Sequence, residues 1–192
     1  MSAFRFSVGP WNVHSGADSY GPATRGEIGM EEKFRRFAEI GFSAVQFHDD
    51  DAVPEINNYS VEEIKRLAGE RKKQLDKYGL AAEFVAPRLW MDPHCVDGGF
   101  TSRSEADREY AMWRAYRSID IAHELGTDLI VLWLAREGTL CAESKDPVWE
   151  TRMLIESINR MLDYDPNIRV CIEPKPNEPI DRSICGTMGH VM

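Results

Sequence analysis

Three kinds of residue in this sequence have the types and spacing for chemistry. Phe47-His48-Asp49-Asp50-Asp51 sets a histidine directly before three carboxylates. A carboxylate behind a histidine fixes its tautomer and raises its basicity, which makes a proton shuttle; the plainer reading is a solvated acidic turn. Asp51 is the aspartate chosen for the orienting role. Glu173-Pro-Lys175-Pro-Asn177-Glu178-Pro179 alternates charge with proline, which stiffens the segment and removes backbone donors. It reads as a carboxylate for a hard cation beside an ammonium that polarises a substrate oxygen, or as a salt bridge in a rigid loop. Trp11, Trp90 and Trp133 could stack on the CH-rich face of a sugar and keep water out, or could simply pack a rim. Trp113 and Trp149 fall inside helical patterns and read as packing.

The elements that must position these residues follow from apolar periodicity. Strands are expected at 4–8, 43–47, 81–85, 129–133 and 169–172, and helices at 31–40, 60–78, 104–125 and 147–162. Ser60 and Glu63 form a capping box at the start of the second helix, and Gly41, Gly79 and Gly126 stop the first three. Residues 184–192 could begin another helix. Strand–helix alternation predicts an α/β fold with a parallel sheet, either doubly wound or a (β/α)8 barrel. Each chemical segment follows the carboxyl end of a strand, the rim where parallel α/β proteins bind ligands.

Composition narrows the function classes. The 192 residues are 43% hydrophobic and 29% charged, with a formal net charge of -9, which argues against a nucleic-acid or anionic-membrane binder. No long apolar run suggests a signal peptide or a membrane span, so a cytoplasmic protein is expected. Cys95, Cys141, Cys171 and Cys185 are scattered and read as reduced thiols rather than a disulfide framework or zinc site.

The sequence resembles xylose isomerase, a metal-dependent aldose–ketose isomerase with a (β/α)8 TIM barrel. The resemblance rests on Phe47-His-Asp-Asp-Asp51, Asp97-Gly-Gly-Phe-Thr101, Trp133 with Arg136-Glu137-Gly138, Ile172-Glu-Pro-Lys-Pro-Asn-Glu-Pro179 and Gly189-His190. It implies that His48 assists sugar-ring opening with Asp51 as its partner. Glu173 would bind the structural metal, and Lys175 the carbonyl end of the substrate. Trp133 and Trp11 would be substrate-side aromatics. The reaction implied is D-xylose to D-xylulose, and D-glucose to D-fructose, by a metal-assisted 1,2-hydride shift. Two divalent ions, Mg2+, Mn2+ or Co2+, belong to the complete site of the family.

Departures from the family pattern are also visible. Trp90 replaces a phenylalanine, Ala86 a threonine, and Leu134-Ala135 a Gly-Gly pair. Tyr20 replaces a phenylalanine that the family inserts into a neighbouring subunit's site. These changes predict a pocket altered for a different aldose of similar size. The expectation is four to five βα units of a truncated barrel over 1–192, with Glu173 the one metal ligand present; His190 matches a helix start rather than a ligand. Such a chain would be inactive alone. It should form a homo-oligomer (a tetramer in the family), pair with a complementary carboxyl-terminal half, or aggregate. A non-catalytic assembly module and a related sugar epimerase are the competing readings.

Overall fold

The structure, a computed structural model, describes residues 4–18, 20–177 and 179–192. It divides into two compact units, Met1–Val85 with Ile121–Thr127, and Ala86–Asp120 with Asp128–Met192.

In the first unit, strand β1 (Ser7–Val8) pairs in parallel with β2 (Ala44–His48), Ser7 opposite Ala44 and Val8 opposite Val45. Strand β3 (Ala81–Ala86) follows β2 in the sheet. Helix α1 (Met30–Ile40) has Glu31 and Glu32 in its first turn, where the helix dipole favours negative charge. It ends at Gly41, whose φ of 103° closes the helix with a left-handed cap that a side chain would disfavour. Phe34 and Phe37 are buried on one face, and the Phe34 ring meets Phe47 of β2 edge-on, 6.0 Å between centroids. Helix α3 (Val61–Lys77) starts at the expected capping box: Ser60 Oγ accepts from the Glu63 amide at 3.3 Å, and Glu63 accepts from the Ser60 amide at 2.9 Å. Its buried stripe is Ile64, Ala68 and Leu75.

Between β2 and α3 lies a one-turn helix, α2 (Asp49–Ala52), formed by the three aspartates themselves. Alternation over 44–51 gives no sign of it, because a single turn is shorter than the helical period needs to declare itself.

In the second unit, β4 (Leu129–Trp133) and β6 (Arg169–Glu173) run in parallel over five residues each, from Leu129 opposite Arg169 to Trp133 opposite Glu173. Helix α5 (Pro147–Tyr164) joins them, capped by Asp146, which accepts from the Val148 amide at 2.9 Å. Two-residue strands β5 (Gly138–Thr139) and β7 (Arg182–Ser183) form an antiparallel pair. A four-residue helix, α6 (Met188–Val191), lies within the expected last segment.

Helix α4 (Glu105–Leu125) contributes residues to both units. It is buried on more than one side, including Ala111, Met112, Ala115, Ile119, Ile121 and Ala122. The first strand is shorter than expected. Phe4 and Phe6 are exposed, so apolar character at those positions is not strand burial, although the Phe6 carbonyl already accepts from the Ser43 amide at 2.8 Å. Among the described residues no helix is long and apolar enough to cross a membrane.

Candidate functional site

In the first unit, three of the expected residues come together at the carboxyl end of β2. Extended backbone at His48 gives way to α2, which brings Asp51 back over the histidine. Asp51 Oδ2 lies 3.0 Å from His48 Nδ1 and accepts from the His48 amide at 3.2 Å. One carboxylate oxygen therefore fixes both the backbone and the ring. The Trp11 ring packs on the imidazole with centroids 4.3 Å apart and planes tilted by 40°. The side chains of His48 and Asp51 are only 12% and 18% exposed, which strengthens the pair relative to one in water. With Nδ1 facing the carboxylate, the proton chemistry of the ring passes to Nε2.

Tyr20 stands apart from this group. Its amide donates to Asp18 Oδ1 at 2.7 Å in a turn closed by an Asp18–Gly21 bridge, and its side chain is 100% exposed. Ser19, in the same segment, lies outside the described residues.

In the second unit, Trp133 is the hub. Its ring meets Trp90 edge-on with centroids 4.5 Å apart, and Lys175 Nζ lies over it at 4.8 Å, within cation–π range. Arg88 sits 5.6 Å over Trp90, and Arg136 Nε donates to the Trp90 carbonyl at 2.9 Å. The Trp133 indole nitrogen is buried with no hydrogen-bond partner among the described residues. A buried donor of this kind is costly and suits an incoming oxygen. Glu173, opposite Trp133 in the sheet, is exposed. Glu178 lies outside the described residues.

The geometry and the sequence motifs agree with a family model described as a xylose isomerase-like TIM barrel, which matches residues 34–191. The chain belongs to the xylose isomerase-like TIM barrel family.

Solved structures share the fold of this family. A xylose isomerase domain protein from Alicyclobacillus acidocaldarius subsp. acidocaldarius is similar with a TM-score of 0.61 at 12% identity, over 97% of this chain and 57% of that one. A D-psicose 3-epimerase, crystallised in the presence of D-fructose, gives 0.62 at 16% identity over the same shares. A 3-keto-D-glucoside 4-epimerase from E. coli gives 0.56 at 19% identity, over 82% of this chain and 54% of that one. The chain thus spans a little over half the length of these relatives, as a partial α/β barrel.

A xylose isomerase-type site implies a metal, and the residues were expected to supply Glu173 toward it. Among the described residues no group of three or more His, Cys, Asp or Glu is placed to hold a metal ion. Hard divalent cations take about six oxygen ligands, so Glu173 alone does not make a site. His190 is exposed in α6.

The family motifs at Asp97–Thr101 and Arg136–Gly138 meet around a buried carboxylate that sequence reasoning left without a role. Glu137 Oε1 accepts from the amides of Gly99 and Phe100, both at 2.9 Å; Oε2 accepts from the amide and hydroxyl of Thr101 at 2.9 and 2.7 Å. Glycines at 98 and 99 allow this wrapping. Gly98 has φ +86°, and a Cβ there would lie 2.7 Å from Thr101 Oγ1. Lys145, also buried, donates to the carbonyls of Thr101 and Gly138 at 2.9 and 3.2 Å and to that of Asp97. The signal was a Gly-Gly-Phe-Thr run paired with a lone Glu-Gly, each ordinary until folded together. The cluster holds the loop after β4 in place, next to Trp133 and Arg136 in sequence. Neighbouring Cys95 is kept a thiol, its pKa pushed up to about 12 by burial and by the charge of Glu137.

Proposed function

We propose that this chain carries part of the active site of a sugar isomerase or epimerase, with His48 moving protons on an open-chain or cyclic sugar. The observation that carries the reading is the His48–Asp51 pair roofed by Trp11. Asp51 holds the imidazole in one tautomer, so Nε2 presents a single role to the substrate. The Trp11 face offers stacking to a pyranose or furanose and excludes water from the proton transfer. The second unit, taken by itself, carries its own part of that chemistry: Trp90 and Trp133 offer apolar walls, Lys175 an ammonium for a substrate oxygen, and Glu173 a carboxylate for a metal within a more complete ligand set. Tyr20, exposed on its turn, would meet a second subunit of a homo-oligomer, and the complete barrel would arise with a complementary half.

Aldose–ketose isomerisation of a xylose-sized sugar is the reading that the sequence motifs support. Epimerisation is supported equally, since two of the solved relatives are epimerases by name. The experiment is sugar conversion in D2O with D-xylose and D-fructose as substrates, with Mn2+ or with EDTA, comparing the chain and His48→Asn. Ketose without carbon-bound deuterium supports a hydride-shift isomerase; deuterium at the reacting carbon supports an epimerase. No conversion, including after a complementary half is supplied, sinks both and leaves a non-catalytic module.

A further inference from the structure

The loop that follows Trp11 encloses a cavity that neither His48 nor Asp51 lines. Its volume is about 180 Å³, and its walls are Val13, His14, Ser15, Glu27, Ile28 and Lys33, all in the first unit. The loop is held by its own bonds. The Ser15 carbonyl accepts from the amides of Thr24 and Arg25 at 2.9 and 3.0 Å, and Arg25 Nε donates to the His14 carbonyl at 2.7 Å. Gly16 has φ +84°, and a Cβ there would lie 2.3 Å from Thr24 Oγ1, so the turn has no room for a side chain. Lys33 of α1 donates through Nζ to the Pro10 carbonyl at 3.0 Å, which ties one wall of the cavity to the residue before Trp11.

The polar groups of the lining differ in what they offer. His14 Nδ1 accepts from the Gly16 amide at 3.0 Å, so the neutral ring carries its proton on Nε2 and is a donor there. Lys33 spends one N–H on Pro10 and keeps the others for a ligand. Ser15 adds a hydroxyl and Glu27 a carboxylate. Lys33 and Glu27 form no ion pair with each other or with any other group among the described residues. A cation and an anion thus share one cavity without closing on each other.

That arrangement selects the ligand. An anion accepts from Lys33 but is repelled by Glu27, and a cation meets the reverse. A hydroxyl both accepts and donates, so a neutral polyol satisfies the two charges together. The volume is a little above the ~150 Å³ of a cavity that holds benzene, which is room for one ring and not for a longer chain. We propose that this cavity is a second carbohydrate site, taking one neutral sugar ring or a polyol of that size, with Glu27 and Lys33 gripping its hydroxyls. It lies outside the proposed isomerase or epimerase chemistry, since its lining includes neither member of the His48–Asp51 pair.

The test is titration of the 15N-labelled 192-residue chain with D-xylose and, separately, with inorganic phosphate, read from the backbone amide shifts. D-xylose should give saturable shifts at Val13, His14, Ser15, Glu27 and Ile28 with a Kd of roughly 1–10 mM. Glu27 is exposed, so Glu27→Ala should fold; it should weaken the sugar about tenfold, the worth of a hydrogen bond to a charged group. Glu27→Gln keeps an accepting oxygen and should weaken it less. Phosphate should bind more weakly than the sugar, and Glu27→Ala should improve it. No saturable shift at these amides up to about 100 mM D-xylose overturns the proposal. So does an unchanged sugar Kd in Glu27→Ala, or phosphate binding more tightly than sugar to the wild type. The wild-type titrations decide without the variants. Shifts confined to Trp11 and His48 would support the proposed activity and overturn this site; shifts at the cavity that persist in His48→Asn support this site whatever the turnover.

Discussion

Thr101 donates twice to one oxygen of Glu137, from its amide at 2.9 Å and its hydroxyl at 2.7 Å, while Gly99 and Phe100 occupy the other oxygen. Glu137 is 1% exposed and Thr101 is fully buried, so none of these donors has water to fall back on. Glu137→Ala strands four donors and should cost about 3–5 kcal/mol of stability in urea denaturation. Glu137→Gln keeps the shape but turns an NH2 group toward two donors, and should cost less, about 2–3 kcal/mol. Equal stability of either variant and the wild type would mean that the loop is held by something else.

Glu150, on the buried side of α5, makes the opposite prediction. Its Oε1 has no hydrogen bond among the described residues and lies 3.9 Å from Lys145 Nζ, too far to be one. Burial raises its pKa above the ordinary carboxylate value, ahead of the opposing pull of Lys145. A raised carboxyl pKa means that the folded state holds the proton more tightly than the unfolded state. Its stabilising contribution is therefore complete below the ordinary carboxylate value and is lost as pH rises through the raised one. Glu150→Gln, neutral at every pH, should be at least as stable as the wild type at pH 7, by roughly 1 kcal/mol, with the advantage vanishing in acid. Thermal melts of both proteins from about pH 4 to pH 8 check this; a wild type that gains on the variant as pH rises refutes it.

What the sequence revealed and what it concealed divide along physical lines. Helices α1, α3 and α5 were legible because each has one buried stripe and a cap with its own chemistry, such as Ser60 with Glu63. The strand β4 was legible to the residue, since Leu129–Trp133 is a continuous apolar run. Strand β1 was overestimated because Phe4 and Phe6 are apolar but exposed. The β5–β7 pair escaped notice because two residues carry no period. The His48–Asp51 contact could be expected from a spacing of three residues, though α2, which makes it, could not. Glu137 was not legible as a partner, because the three amides it accepts from lie 36 or more positions away and no side-chain pattern encodes them.

Asp51→Asn tests the division of labour at the candidate site. The amide keeps the volume of the carboxylate but can present an NH2 to His48 Nδ1, favouring the other tautomer. The change of tautomer should be readable from the ring 15N shifts of His48. If the proposed chemistry holds, turnover of the complete barrel should drop by about 10²–10⁴ with a smaller change in KM. A shifted tautomer with full turnover would remove His48 from the mechanism while leaving the geometry intact.

Two glycines with positive φ separate conformational cost from collision. Gly41, at the end of α1, has φ +103°, and a Cβ added there would meet nothing within 4 Å. Gly138, in β5, has φ +126°, and a Cβ there would stand 2.1 Å from the Arg182 carbonyl oxygen of β7. Gly41→Ala therefore meets only backbone strain, about 1 kcal/mol. Gly138→Ala meets strain and a backbone atom that no rotamer can move aside, so the β5–β7 pair must open. The second substitution should cost at least about 2 kcal/mol more than the first in parallel urea unfolding. It should also release the Gly138 carbonyl from Lys145, loosening the loop that Glu137 anchors. Hydrogen exchange at the amides of Gly99, Phe100 and Thr101 reports that loosening directly: faster exchange in Gly138→Ala but not in Gly41→Ala ties the hairpin to the loop, and equal rates in both would show that the Glu137 cradle stands without it.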